Sequence, residues 1–303
     1  MFTSISALII SLLISYIAFR IFKSILSAII SFLIIGFVLL CGFTAWSHGI
    51  TEPNELLPAV VDTVKEVWPK SSRNSKNVTR NNEQSLRDGN QLPKIVDPLD
   101  SNTPSTISNG SVKYGAKIVL GELDQLNRST FAHIRLKDEH EPRRNGEKRN
   151  ERINVDPAGW RNYKLNGKWI NDRLHLVGYQ FSGLNDELRN LVPGTAYLNR
   201  GTEGKGMNDS IPDSMLFYEN KLDQWLAKHK DNALDLYVAP IYEGDNLTPT
   251  AIYMQWVGFD KNGNQVAINI GGNSQAQTET IYGVVLENKT PSFTVNYQTG
   301  EVK

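Results

Sequence analysis

Asn171-Asp172-Arg173-Leu174-His175-Leu176-Val177-Gly178-Tyr179-Gln180 is the stretch on which the reading of this chain turns. The residues flanking Leu174 read as strand. Just upstream, Asn166-Gly167 sits between the strand-like flanks of 160–170, a strong signal for a two-residue hairpin. Downstream, in fixed order, come Asn190-Leu191-Val192, then Thr195-Ala196-Tyr197-Leu198-Asn199, then Met215-Leu216-Phe217-Tyr218-Glu219-Asn220. A lone histidine in such a mixed segment is structural in most folds. His175 differs because Asp172, Arg173, Asn190 and Asn199 accompany it in order, and a neutral imidazole with a pKa near 6.5 can take a proton at physiological pH.

Outward from this stretch, 112–303 has the pattern of one compact α+β domain. Short strands are expected at 117–123 and 133–136, and strand-like runs follow at 234–242, 251–259, 266–270 and 278–286. Asn262-Gly263 marks a second hairpin. The best helix is 213–229, where Leu216, Leu222 and Leu226 fall near one face and Asp213 can cap the first turn. His133, His140 and His229 carry no motif and read as surface or structural residues.

Toward the N-terminus the composition changes. The chain has 303 residues, 40% of them hydrophobic, with a formal net charge of zero. Bulk charge therefore gives no reason to expect binding to nucleic acid, and any basic site must be local. From Ile5 to Trp46 the sequence is almost wholly apolar, broken only by Arg20 and Lys23. A bilayer core needs about 20 such residues, so 1–46 is expected to form an anchor of one or two transmembrane helices. Arg20 and Lys23 would face the cytoplasm, which places everything after Trp46 outside it. A cleaved signal peptide gives the same topology, but Phe43-Thr44-Ala45 is a poor cleavage site. The single cysteine, Cys41, rules out a disulfide within the chain. Residues 47–111, rich in Ser, Asn, Thr and Pro toward their end, are expected to be a flexible tether.

The ordered motifs resemble those of the DNA/RNA non-specific endonucleases, the ββα-metal or His-Me finger nucleases, and most closely the membrane-anchored EndA-like group of Gram-positive bacteria. The family's Asp-Arg-Gly-His signature stands here as Asp172-Arg173-Leu174-His175, and the likeness runs over about 118–242. The resemblance implies a ββα-metal core on an antiparallel sheet, and an enzyme that hydrolyses DNA and RNA by backbone contact to give 5′-phosphate ends. It makes His175 the general base and Asn199 the ligand of one Mg²⁺, with Mn²⁺ as the alternative. Asn190 would support the geometry, Glu219 would order the metal's water shell, and Arg128 would lie near the scissile phosphate. Arg173 would either join it or serve a structural pairing. The cell membrane would carry the enzyme, with its catalytic domain extracellular. Partners beyond nucleic acid and membrane would be a DNA-uptake machinery or a protein inhibitor.

Leu174 departs from the signature's glycine. Leucine would be strained there if the position needed positive φ or close backbone approach, and harmless in an ordinary strand. It keeps a rival in view: a cell-surface protein that binds nucleic acid on a nuclease scaffold without cutting it. The cluster Arg143, Arg144, Lys148, Arg149 and Arg152 is either a solvated loop or a groove wall for the phosphate backbone.

Overall fold

The computed structural model describes residues 92–303, apart from 101, 151 and 166. The expected anchor, 1–46, and most of the expected tether lie outside the described residues. Among the described residues no helix is long and apolar enough to cross a membrane.

The elements follow in chain order as β1 (Lys117–Leu120), β2 (Ala132–Leu136), β3 (Lys164–Leu165), β4 (Lys168–Trp169), β5 (Asn171–His175), α1 (Tyr179–Ser182), β6 (Leu191–Thr195), α2 (Ala196–Arg200) and α3 (Met215–Lys228). They continue as β7 (Ala233–Ile241), β8 (Ala251–Phe259), β9 (Gln265–Val266), β10 (Gln275–Ala276), β11 (Tyr282–Glu287), β12 (Val295–Asn296) and β13 (Glu301–Val302). The main sheet is antiparallel, in the order β1-β2-β7-β8-β11-β10 with β9 beside β8. Both expected hairpins are present: β3 pairs with β4 around Gly167, and β8 with β9 around Gly263.

β7 and β8 are buried along nearly their whole length. Both faces of the sheet are covered, so these strands read as unbroken apolar runs rather than alternating ones. On one face, Leu236, Val238, Met254 and Trp256 join Leu174, Phe181, Leu198 and Leu222 in the principal core. The ββα unit β5–β6–α2 therefore rides on this face with α3. On the opposite face Tyr237, Ala239, Ile241 and Tyr253 form a second cluster, against which Leu92 and Val96 pack.

That second cluster corrects the expected tether, which was to run to residue 111. Residues 92–100 are a strap fixed across the back of the sheet. The Gln255 carboxamide accepts the Val96 N–H at 2.9 Å and donates to the Val96 carbonyl at 2.7 Å. Gln277 donates to the Pro93 carbonyl at 3.0 Å. Asp235 accepts the Leu99 N–H at 2.9 Å while Arg135 donates to the Leu99 carbonyl at 2.7 Å. His133, buried, is 2.6 Å from the other Asp235 oxygen. The strap carries Leu92, Ile95, Val96 and Leu99 within a longer tract poor in apolar residues, and its backbone groups are satisfied by side chains 36 to 184 residues away in sequence, which local composition cannot reveal.

α3 begins later than expected. Ser214, not Asp213, is its N-cap and accepts the Phe217 N–H, while Asp213 accepts from the Asn273 side chain at 2.8 Å. Its buried stripe is Met215, Tyr218, Leu222 and Leu226, with Leu216 only half-buried. The expected strand 266–270 shrinks to β9, since the backbone at Ile268 is taken by the Trp256 indole N–H at 2.8 Å.

Candidate active site

β5 and β6 run antiparallel with Asp172 opposite Gly194 and His175 opposite Leu191. Thr195 ends β6 and caps α2, its hydroxyl accepting the Leu198 N–H at 3.1 Å. The five-residue helix packs against both strands. Strand, strand and helix thus carry His175 and Asn199 on one small unit.

Leu174 causes no backbone strain. Among the described residues, the only non-glycine with positive φ is Asn127. The leucine side chain is fully buried, and the space it needs comes from across the hairpin. A Cβ on Gly194 would stand 2.6 Å from Leu174 Cδ1, so the leucine fills space that a glycine at 194 leaves open.

His175 is 8% exposed, at the end of β5. Its Nε2 lies 3.1 Å from the Asn185 carbonyl oxygen. A carbonyl only accepts, so Nε2 carries the proton and Nδ1 keeps the lone pair. Burial pushes the imidazole pKa down to about 4, and the charge of Arg149 acts in the same direction. The ring is therefore neutral throughout the physiological range.

Asn199 extends from α2 toward β5, where its Nδ2 donates to Asp172 at 2.9 Å. Arg200 donates to the same carboxylate oxygen at 2.7 Å. A carboxylate accepts only, so Asp172 fixes the asparagine amide and turns Asn199 Oδ1 away as the free oxygen. Such a neutral oxygen is the donor type Mg²⁺ takes while retaining most of its waters.

Asn190 is wholly buried and touches the segment just past His175. It accepts the Val177 N–H at 3.0 Å and donates to the Val177 carbonyl at 2.9 Å, while its own carbonyl accepts from Leu176 at 2.9 Å. With both ends of its carboxamide occupied, it is a positioning residue. Glu219, on α3, is 8% exposed; burial raises its pKa to about 7, against the opposing pull of the Gly178 N–H and Arg149. A Cβ on Gly178 would come within 2.6 Å of Glu219 Oε1, so the glycine three residues after His175 lets the glutamate approach.

Arg128 is buried, giving its Nε to Asp124 at 2.7 Å and its Nη1 to the carbonyls of Gly244 and Asn246 at 2.8 and 2.7 Å, with its plane 4.3 Å above Tyr242. It holds a turn to a distant loop. Arg173 pairs with Asp156 at 2.6 Å and lies over Trp160. In the basic cluster, Arg143 is paired with Glu141 and Asp223, and Arg144 with Asp138. Arg149 alone of the cluster acts electrostatically on both His175 and Glu219, and it stands 5.5 Å over the Tyr179 ring. The sequence marked it only as one charge among five. Asp172, by contrast, stood in the motif without a role, and its task becomes visible only with α2 folded against β5.

A DNA/RNA non-specific endonuclease family model matches residues 110–257. A solved structure described as an extracellular nuclease is 38% identical, covering 67% of this chain and 98% of its own, with a TM-score of 0.52. A second, described as an extracellular endonuclease, is 37% identical over 68% of this chain and 99% of its own, with a TM-score of 0.53. No curated protein matches the chain. The chain belongs to the DNA/RNA non-specific endonuclease family, and it is a nuclease.

Proposed function

We propose that this nuclease hydrolyses phosphodiester bonds of DNA and RNA without reading base sequence, with His175 Nδ1 as general base and Asn199 Oδ1 holding one divalent cation, Mg²⁺ or Mn²⁺. The observation that carries this is the hydrogen bond from His175 Nε2 to the Asn185 carbonyl, which leaves Nδ1 as an unprotonated base. The bound cation would supply charge neutralisation at the phosphate and at the departing oxygen. His175 accepts the proton of the attacking water. Asn190 holds the turn after His175, so that the ring keeps its angle to the substrate. Glu219, when ionised, would be placed to accept hydrogen bonds from water on a bound cation. Arg149 offers a planar guanidinium to a phosphate oxygen. Contacts of this kind go to the backbone rather than to base edges, which suits low sequence specificity. The products carry 5′-phosphates.

The rival reading, a binder that does not cut, rested on Leu174, whose bulk is accommodated by Gly194. Action outside the cell is supported by the names of the two similar structures, and attachment through the apolar 1–46 segment by its composition alone. The test is supercoiled plasmid incubated with the purified protein and Mg²⁺. Nicking and linearisation are expected, abolished by EDTA and reduced by at least about 100-fold in both His175→Ala and Asn199→Ala. Wild-type cutting by His175→Ala would remove the histidine from the chemistry.

A further inference from the structure

Residues 258–303 lie beyond the stretch matched by the family model, yet part of this extension grips the helix that carries Asn199. Asn288 is completely buried just past the end of β11. Its Oδ1 accepts the Thr195 N–H at 2.8 Å, and its Nδ2 donates to the carbonyls of Pro249 and Pro193 at 2.9 and 3.3 Å. The Thr195 hydroxyl, which caps α2, donates in turn to the Lys289 carbonyl at 2.6 Å. The other end of the helix is held as well. Glu203, two residues after the Gly201 that closes α2, accepts from the Thr290 hydroxyl, from the Ser292 N–H at 2.9 Å and from the Ser292 hydroxyl at 2.7 Å. Five consecutive residues, Asn288-Lys289-Thr290-Pro291-Ser292, therefore bridge both ends of one short helix.

A five-residue helix has too few internal hydrogen bonds to be stable alone. Its orientation is set by what holds its ends. We propose that segment 288–292 is a positioning bracket for Asn199: it sets the place of α2 against β5 and, through it, the strength of cation binding, although none of its residues touches the cation. The inference rests on Asn199 being the ligand. Outer residues that orient a metal ligand typically change metal affinity by about 10–100-fold when removed, and the bracket stands one step further out than Asp172.

The experiment is Mn²⁺ binding to the metal-free full chain, read by the free-ion electron paramagnetic resonance signal, alongside the Mg²⁺ concentration for half-maximal plasmid cutting. Four variants are compared: Asn288→Ala, Ser292→Ala, Glu203→Gln and Asn199→Ala. The bracket predicts that Ser292→Ala and Glu203→Gln, which alter only the exposed end, weaken Mn²⁺ binding by about 10-fold and raise the Mg²⁺ requirement by a similar factor. Asn288→Ala should do so more strongly; if it fails to fold, the variants at the Glu203 end still decide the matter. A merely structural role would lower the melting temperature and leave Mn²⁺ affinity unchanged. If Asn199→Ala loses Mn²⁺ but the bracket variants bind it like wild type, the bracket is overturned and the ligand assignment stands. If Asn199→Ala keeps full Mn²⁺ affinity, the ligand assignment fails and the bracket falls with it.

Discussion

Two buried groups, His175 and Glu219, both feel the charge of Arg149, and the pH response depends on which one changes state. His175, with its pKa held near 4 by burial and by Arg149, is already neutral well below physiological pH. Its folded-state pKa lies below the ordinary 6.5, so the unfolded chain binds the extra proton first; folding loses stability as pH falls from about 6.5 to about 4, by on the order of 3 kcal/mol. Glu219 behaves in the other direction. Its pKa near 7 lies above the ordinary 4.5, so ionising it in the fold opposes stability as pH rises between those values, unless a cation compensates. The rising limb of activity with pH should therefore belong to Glu219 and not to the base. At low Mg²⁺, cutting should rise through about pH 7, and the limb should move to lower pH as Mg²⁺ increases. Glu219→Gln should flatten it while lowering the rate about 10–100-fold. Rates measured over a pH series at two Mg²⁺ concentrations check this; an unchanged limb in Glu219→Gln would assign it elsewhere.

At the scale of elements, the hairpin β5–β6 shows how a departure from a family signature can be absorbed by the partner strand. Leu174 fills space over Gly194, so Gly194→Ala should cost about 1–3 kcal/mol through overpacking. Leu174→Ala should create a cavity by itself, yet in the double variant the two losses should partly cancel. Urea unfolding of the four proteins measures the coupling, and strict additivity would mean that the two side chains do not compete for the same space. Element positions were largely legible in the sequence: β8 matches its expected limits, and β2, β7 and α3 differ by a residue or two. What was not legible has physical causes. Asp213 and Ser214 are adjacent and both good caps, and only tertiary structure, which draws Asp213 to Asn273, decides between them. Nothing near Arg128 in sequence reveals that the carbonyls of Gly244 and Asn246 will claim its guanidinium. Arg149 could not be singled out among five charges until its neighbours had taken Glu141, Asp223 and Asp138 as partners.

At the scale of the whole molecule, the sheet has a working face and a sealed one. The ββα unit and α3 occupy the first, and the strap 92–100 covers the second. The family match begins at residue 110, but a protein begun there would expose Tyr237, Ile241 and Tyr253 and leave the Asp235 and Gln255 side chains without their backbone partners. Leu99 is buried, and Leu92 and Val96 are partly buried against the sheet; losing Leu99 alone would cost about 1.5–3 kcal/mol, with smaller losses from the other two. A fragment 92–303 should unfold cooperatively in urea, and 110–303 should aggregate or unfold at a much lower midpoint; equal midpoints would make the strap dispensable. The same arrangement shows why composition misplaced the end of the tether. A few apolar residues at the end of a polar tract, Leu92, Ile95, Val96 and Leu99, are enough to order it when side chains of the sheet also satisfy its backbone.

The chemistry assigned to the working face comes down to a neutral imidazole and a carboxamide oxygen sharing one cation and its waters. A crystal structure of the protein soaked in Mn²⁺, with the ion located by its anomalous signal, tests this directly. The ion should lie about 2.0–2.3 Å from Asn199 Oδ1, with His175 Nδ1 facing one of its waters and Nε2 still bonded to the Asn185 carbonyl. An ion bound elsewhere, or an Nδ1 turned away from it, would contradict the assignment.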